Sequence, residues 1–344
     1  MEVKHCGQKT AEELEGLILP NDSCTLRYHK KPIKTVKFNH DGDLLFSSCT
    51  EASLLVWRVS TGEMLGKYPG HEGAVVGFDI NQEDTRIVSA GADRRSNLYD
   101  IETGKLMFSF NTVVTTRDVS FTADSRRIVL CTDAIMKEKP KLWVFDAVSG
   151  ELINQTVIPS TPVAIRATID NKILYGDTEG SLTLVDERTF GEISSKKVHQ
   201  SKITSLTPSF CNTYFVSAST DFKSKIIRAD NEITPVREFL SDSPNNAARV
   251  SPDNRILVSA GGVDARDVTT STGQGNFNIE FFDCATSKLV GYYKTHFGTV
   301  NTLDIHPSGN AIASGGEDGV LHLVKMDDEA FINAPFVTIE ENEA

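Results

Sequence analysis

Along most of the chain, apolar residues alternate with small and polar ones in runs of five or six, broken by clusters of Gly, Pro, Asn, Asp and Ser. That is the period of a half-buried β-strand, and the clusters read as turns. The clearest stretch opens at His296, alternates through Val300-Asn301-Thr302-Leu303-Asp304-Ile305, and turns at His306-Pro307-Ser308-Gly309. It resumes to Ser314, turns tightly at Glu317-Asp318-Gly319, and ends in a third run at Val324. Three short strands are predicted here.

The unit repeats with fixed spacing. His29 to Glu51, His71 to Asp93, His199 to Asp221 and His296 to Asp318 are each 22 residues apart. Four positions before each acid stands a serine: Ser47, Ser89, Ser217 and Ser314. Six positions after it, where WD repeats carry Trp, stand Trp57, Tyr99, Ile227 and Val324. A unit of three or four short strands buries neither face until a neighbour stacks on it, so repetition is the fold.

Repeat starts fall at His29, His71, Thr112, Pro159, His199, Ser241 and His296. Seven starts predict an all-β, seven-bladed propeller over residues 23–326. The run Ser23 to Tyr28 has no earlier strands of its own, and is expected to close the ring beside Leu321 to Val324. Closure joins the first and last repeats and removes an exposed edge. Residues 1–22 read as an extension, with a short helix possible over Thr10 to Leu19, capped by Thr10 and Glu13. Residues 327–344 read as an acidic tail whose Phe331 and Phe336 are expected to pack on a blade or on a partner. Two repeats carry insertions, Ala134 to Pro140 in the third and Gly261 to Asn276 in the sixth; long loops on a rigid scaffold often carry function.

Composition sharpens this picture in a few places. A net charge of −12 in 344 residues argues against a protein whose main task is sequence-independent grip on phosphates, while leaving room for a local basic patch. Lys30, Lys31, Lys34 and Lys37 form the densest positive stretch, with Arg94-Arg95 in the matching turn of the second repeat. The six cysteines show neither metal spacing nor a disulfide framework, and are expected to be reduced thiols. The first residues are charged where a signal peptide is apolar, and no run is long enough to span a bilayer.

His, Ser and Asp recurring together are the residue types of a hydrolase triad. A catalytic set is needed once per site, whereas this one recurs at one spacing in several repeats. The expected role is a buried hydrogen-bond relay: the turn acid accepts from the His ring, His meets Ser, and Ser reaches the third-strand aromatic. The relay set is His29, Ser47, Glu51 and Trp57; His71, Ser89, Asp93 and Tyr99; His199, Ser217 and Asp221; and His296, Ser314 and Asp318. No nucleotide-binding glycine loop, HExxH or GxSxG motif occurs, so neither cofactor nor metal is expected.

Particular stretches go beyond a generic propeller. Gly42-Asp43-Leu44-Leu45-Phe46, Leu65 to Val75, Gly261-Gly262 with Ala265, Asp267-Val268-Thr269-Thr270, Phe277 with Phe281-Phe282, His296-Phe297-Gly298 and Gly315 to Gly319 together resemble subunit i of eukaryotic translation initiation factor three. The resemblance covers about residues 24–336, and its most specific part is the sixth-repeat insertion running into His-Phe-Gly. It implies a cytoplasmic, non-enzymatic scaffold within the initiation factor complex on the small ribosomal subunit. The implied partners are a C-terminal helix of subunit b and an N-terminal segment of subunit g; no homo-oligomer or membrane contact is implied, and direct RNA contact is left open.

The side of blades five and six is the expected partner face, because the fifth repeat lacks an aromatic partner and the sixth lacks His. Asp221, Ile227, Asp230, Asp267, Val268, Thr269 and Thr270 are the candidate contacts. Two other readings stay open: another WD scaffold of the kinase-receptor-associated type, and an enzyme or ligand binder using the central channel.

Overall fold

The computed structural model describes residues 3–4, 20–135, 138–263 and 277–326. Seven antiparallel sheets follow one another in sequence order and close into a ring, giving the seven-bladed β-propeller that the repeats predict. The innermost strands are Ile33–Phe38, Val75–Ile80, Thr116–Phe121, Pro162–Ala167, Ile203–Pro208, Asn245–Val250 and Val300–Ile305, and each lies beside the next around the axis. Every one begins three or four residues after its predicted repeat start.

The core lies between blades. Second strands are buried throughout, as in Leu44–Cys49 beyond its first residue and in Ile256–Gly261, because both of their faces are covered by neighbouring sheets. Outermost strands such as Leu152–Val157 and Glu192–Lys197 are mostly exposed. One apolar cluster joins Leu303, Ile305 and Ile312 of blade seven to Ala247, Val258 and Phe281 of blade six; another joins Leu321 and Leu323 to Ile33, Val36 and Trp57 of blade one.

Closure is made by the N-terminal strand, with wider bounds than the sequence suggests. Pro20–Leu26 pairs antiparallel with Leu321–Met326, matching Ser23 with Val324 and Leu26 with Leu321. The strand thus begins inside the segment read as an extension and ends two residues before Tyr28. Farther upstream, Val3–Lys4 pairs with Tyr292 and Tyr293 as a fifth strand on blade six. The expected helix over Thr10 to Leu19, the acidic tail with Phe331 and Phe336, and most of the sixth-repeat insertion lie outside the described residues.

Side chains staple most innermost strands to the next, and this satisfies buried backbone groups that a sheet edge would leave open. Asp304 accepts from the Phe38 amide at 2.8 Å and Thr302 from the Val36 amide at 3.1 Å, joining the last blade to the first. Asp79 accepts from Phe121 at 2.7 Å, and Asp118 from Ile165 at 3.0 Å. Thr204 and Thr207 donate to Asn245 and Ala248 carbonyls, both at 2.7 Å.

Candidate functional site

Each blade presents two sets of loops. The upper face carries the links from one blade to the next and the turns between second and third strands; the lower face carries the remaining turns. The His, Ser and Asp sets lie just beneath the upper face.

At blade two, His71 stands on the link from blade one, with Nδ1 3.0 Å from Asp93 Oδ2 and Nε2 2.7 Å from Ser89 Oγ. The same contacts are 3.0 and 2.7 Å for His199, Asp221 and Ser217, and 3.0 and 2.9 Å for His296, Asp318 and Ser314. A carboxylate only accepts, so Nδ1 carries the proton and Nε2 accepts from the serine. Burial, partly offset by Asp93 and Asp221, keeps His71 and His199 below the usual imidazole value. The acids also accept backbone N–H groups two residues on, as Asp93 does from Arg95 and Asp221 from Lys223. The residue after each acid sits at positive φ: Arg94 at 64°, Phe222 at 68° and Gly319 at 70°.

Blade one departs from the expected set. Ser47 Oγ lies 2.8 Å from both His29 Nε2 and Trp57 Nε1, so the serine and aromatic links are present. Glu51 does not complete the set: the buried His29 Nδ1 has no hydrogen-bond partner. The turn is the same, with Ala52 at φ 60°. An extra methylene puts the Glu51 carboxylate beyond the short-range geometry that Asp uses to bond its own turn. In blade two the Tyr99 hydroxyl accepts from Asn97 Nδ2 at 3.0 Å and also meets Ser89.

Blade seven adds two residues that the repeat register does not single out. His322 lies opposite Ser314 on the third strand, edge-on to His296 with ring centroids 4.7 Å apart. Thr25 of the closing strand brings its hydroxyl to 3.4 Å from His322 Nδ1, which wires ring closure to the last polar set. The available sequence signal was a His where the other three units carry Leu55, Asn97 and Lys225 opposite the serine. Ligand atoms of His296, Asp318 and His322 fall within 4.8 Å of one another, but both His296 nitrogens are already engaged by Asp318 and Ser314.

Two stability outcomes follow. Asp318→Ala is expected to cost about 1–3 kcal/mol by stranding the His296 donor, read by chemical denaturation. Burial drives His29 and His322 down to about 4, so they stay neutral in the folded protein. The unfolded chain protonates first, near the ordinary 6.5, so stability is expected to fall as pH drops from about 6.5 toward 4. Replacing His322 with Leu, the residue of blade one, should flatten part of that slope in a melting series.

The central channel is lined in part by paired charges. Asp79 contacts Lys37, Arg166 Nη1 lies 2.7 Å from Asp118, and Arg249 Nε lies 2.7 Å from Asp304 Oδ1, out of line for a hydrogen bond. Burial alone would raise Asp79, yet the charges of Lys37 and Arg166 hold it below the usual carboxylate range.

A family model described as EIF3I matches residues 23–334. The chain belongs to that family. Subunit I of eukaryotic translation initiation factor 3 from Schizosaccharomyces pombe is 33% identical over 321 residues, covering 89% of this chain and 97% of that one. The Bombyx mori subunit I is 33% identical over 319 residues, covering 89% and 96%. Among solved structures, the propeller domain of Myceliophteria thermophila Cps50 (Swd1) superposes with a TM-score of 0.75 at 17% identity, covering 88% of this chain and 99% of that domain. That likeness speaks for the fold; the EIF3I match speaks for a role in translation initiation.

Within this EIF3I propeller, the residues expected to form one partner face do not come together. Ile227 is fully buried in the core between blades four and five. Asp221 is engaged inside, with its carboxylate on His199 and on the Gln200 amide. Asp230 is exposed and pairs with Arg228 at 3.0 Å. It follows the third strand Lys223–Ala229, whereas Asp221 precedes it, so the two acids sit on opposite faces of the ring, roughly 20 Å or more apart at strand rise. Asp267, Val268, Thr269 and Thr270 lie outside the described residues. The exposed apolar side chains of blade five, Phe222, Val236 and Leu240, are ones that the repeat pattern did not flag.

Proposed function

We propose that the chain is a non-catalytic, cytoplasmic scaffold subunit that binds segments of subunits b and g and joins the small ribosomal subunit through the assembled factor. The match to EIF3I over residues 23–334 carries this reading. The non-catalytic part is supported by burial: Ser47, Ser89, Ser217 and Ser314 have no exposed surface, so no substrate carbonyl reaches those hydroxyls. The channel charges are spent on one another and on backbone amides of neighbouring blades.

The sector of blades five and six remains the proposed docking side, now resting on the outermost strand of blade five. Ile233–Leu240 is eight residues long and leaves Val236 and Leu240 exposed on either side of Glu238, which Lys223 and Lys225 bind: two apolar anchor points beside a charge pair, suited to an amphipathic partner helix or strand. Val236→Asp with Leu240→Asp is expected to abolish capture of subunit b, subunit g or both in a pull-down, with an unchanged melting temperature. Retention of both partners at wild-type affinity would place docking elsewhere. Asp221→Lys is unsuited to this test, because it breaks the His199 contacts as well.

A further inference from the structure

The upper face of blade seven combines exposed aromatic rings and cations on an otherwise acidic protein. Phe297 follows the buried His296 and is 93% exposed, with its ring in solvent rather than in a pocket. The closing strand ends at Leu26 and emerges on the same face as Arg27-Tyr28-His29-Lys30-Lys31, in which Arg27, Tyr28, Lys30 and Lys31 are all exposed. The blade-seven turn links these two segments. Asp318 receives the Phe297 amide, while a Cβ on Gly319 would come within 3.1 Å of the Lys31 carbonyl and 3.3 Å of that of His29.

Local acids do not neutralise the patch. Asp318 is bound to His296, and Glu317 is bound by Lys34 and Asn301. Arg27, Lys30 and Lys31 make no ion pair among the described residues. Glu51, an exposed acid of this face, sits on blade one's own turn.

We propose that Phe297 and Tyr28, with Arg27, Lys30 and Lys31, form a binding site for single-stranded RNA. Planar bases stack on the two rings while the cations meet the phosphates, a combination that binds single strands with little sequence preference. An aromatic anchor for a peptide works by filling, or being filled into, a desolvated pocket. Phe297 stands clear of any pocket on its own chain, and the exposed cations Arg27, Lys30 and Lys31 beside the two rings add the phosphate contacts that a purely apolar anchor would not need. The site's cation count and the surrounding negative charge predict weak, salt-sensitive binding that acts within a larger assembly.

The test is fluorescence anisotropy of the full chain with a labelled oligouridylate of about a dozen nucleotides, at several salt concentrations. With three phosphate contacts, the log–log salt slope is expected near about −2. Phe297→Ala and Tyr28→Ala should each weaken binding about fivefold or more, with no change in melting temperature. Lys30→Glu with Lys31→Glu should weaken binding and bring the slope below about −1 in magnitude. Absence of binding at low salt, or binding that all three variants retain, overturns the assignment. So does capture of an acidic Glu-Tyr copolymer without the oligouridylate, which would make the patch a protein-docking site.

Discussion

Removing residues 1–28 is expected to leave a chain that no longer folds as a stable ring. The deletion takes away the whole strand Pro20–Leu26, opens the edge of Leu321–Met326, and uncovers the cluster in which Leu26 packs with Leu321 and Leu323. It also strips Thr25 from His322. An opened propeller loses both the ladder and the apolar contact between its first and last blades. The expected loss is a large part of the total, on the order of 5 kcal/mol or more. Melting by circular dichroism and gel filtration would read it as early unfolding or aggregation. Deletion of residues 1–19 is the matched control: among the described residues it removes the short pairing of Val3–Lys4 with blade six and leaves the strand Pro20–Leu26 in place, so it should melt nearly as the full chain does. Equal melting of both truncations would contradict closure by the N-terminal strand.

The second large effect is expected at Asp79. Its carboxylate faces Lys37, accepts from the Phe121 amide at 2.7 Å and from Ser120 Oγ at 3.2 Å, and so ties blades one, two and three together. Asp79→Ala should cost about 3–5 kcal/mol, because it leaves a partly buried cation and a buried amide without partners. Adding Lys37→Met should return part of that loss, since removing both charges avoids the unpaired one. The pH dependence has a definite sign. Asp79 is held below the ordinary carboxylate value in the folded state. Its contribution is therefore present above about pH 4 and is lost as acid protonates the folded carboxylate. Urea denaturation of the single and double variants, near neutral pH and in acid, reads all of these outcomes.

The fold was legible because its signal is repeated. Seven starts, a constant His-to-acid spacing and alternating runs each say the same thing, and one weak unit such as the fourth is corrected by its neighbours. Strand bounds were less legible at the closure point, where Pro20-Asn21-Asp22 looks like a turn but pairs with the last blade through a register shift. Such pairing depends on a strand some 300 residues away, which no local pattern reports.

The candidate site was less legible than the fold. His, Ser and Asp contacts follow from spacing, since a fixed register places those side chains at one level in every blade. Glu51 shows the limit of that logic: one methylene keeps the turn and loses the bond to His29. Ile227 and Asp221 are not surface residues, because departure from the repeat pattern in blades five and six does not by itself expose a position. Position in the third strand buries Ile227 whatever its type, and Asp221 is turned inward by the same His that identifies the repeat. His322 and Thr25 were missed because their meeting crosses the ring closure.

Affinity purification of the tagged full chain from eukaryotic cells, followed by identification of co-purifying proteins, tests the central reading most directly. The expected result is recovery of other subunits of translation initiation factor 3, with subunits b and g surviving high-salt washing and small-subunit ribosomal proteins present at lower salt. Recovery of a stable complex that contains no other subunit of that factor would contradict it.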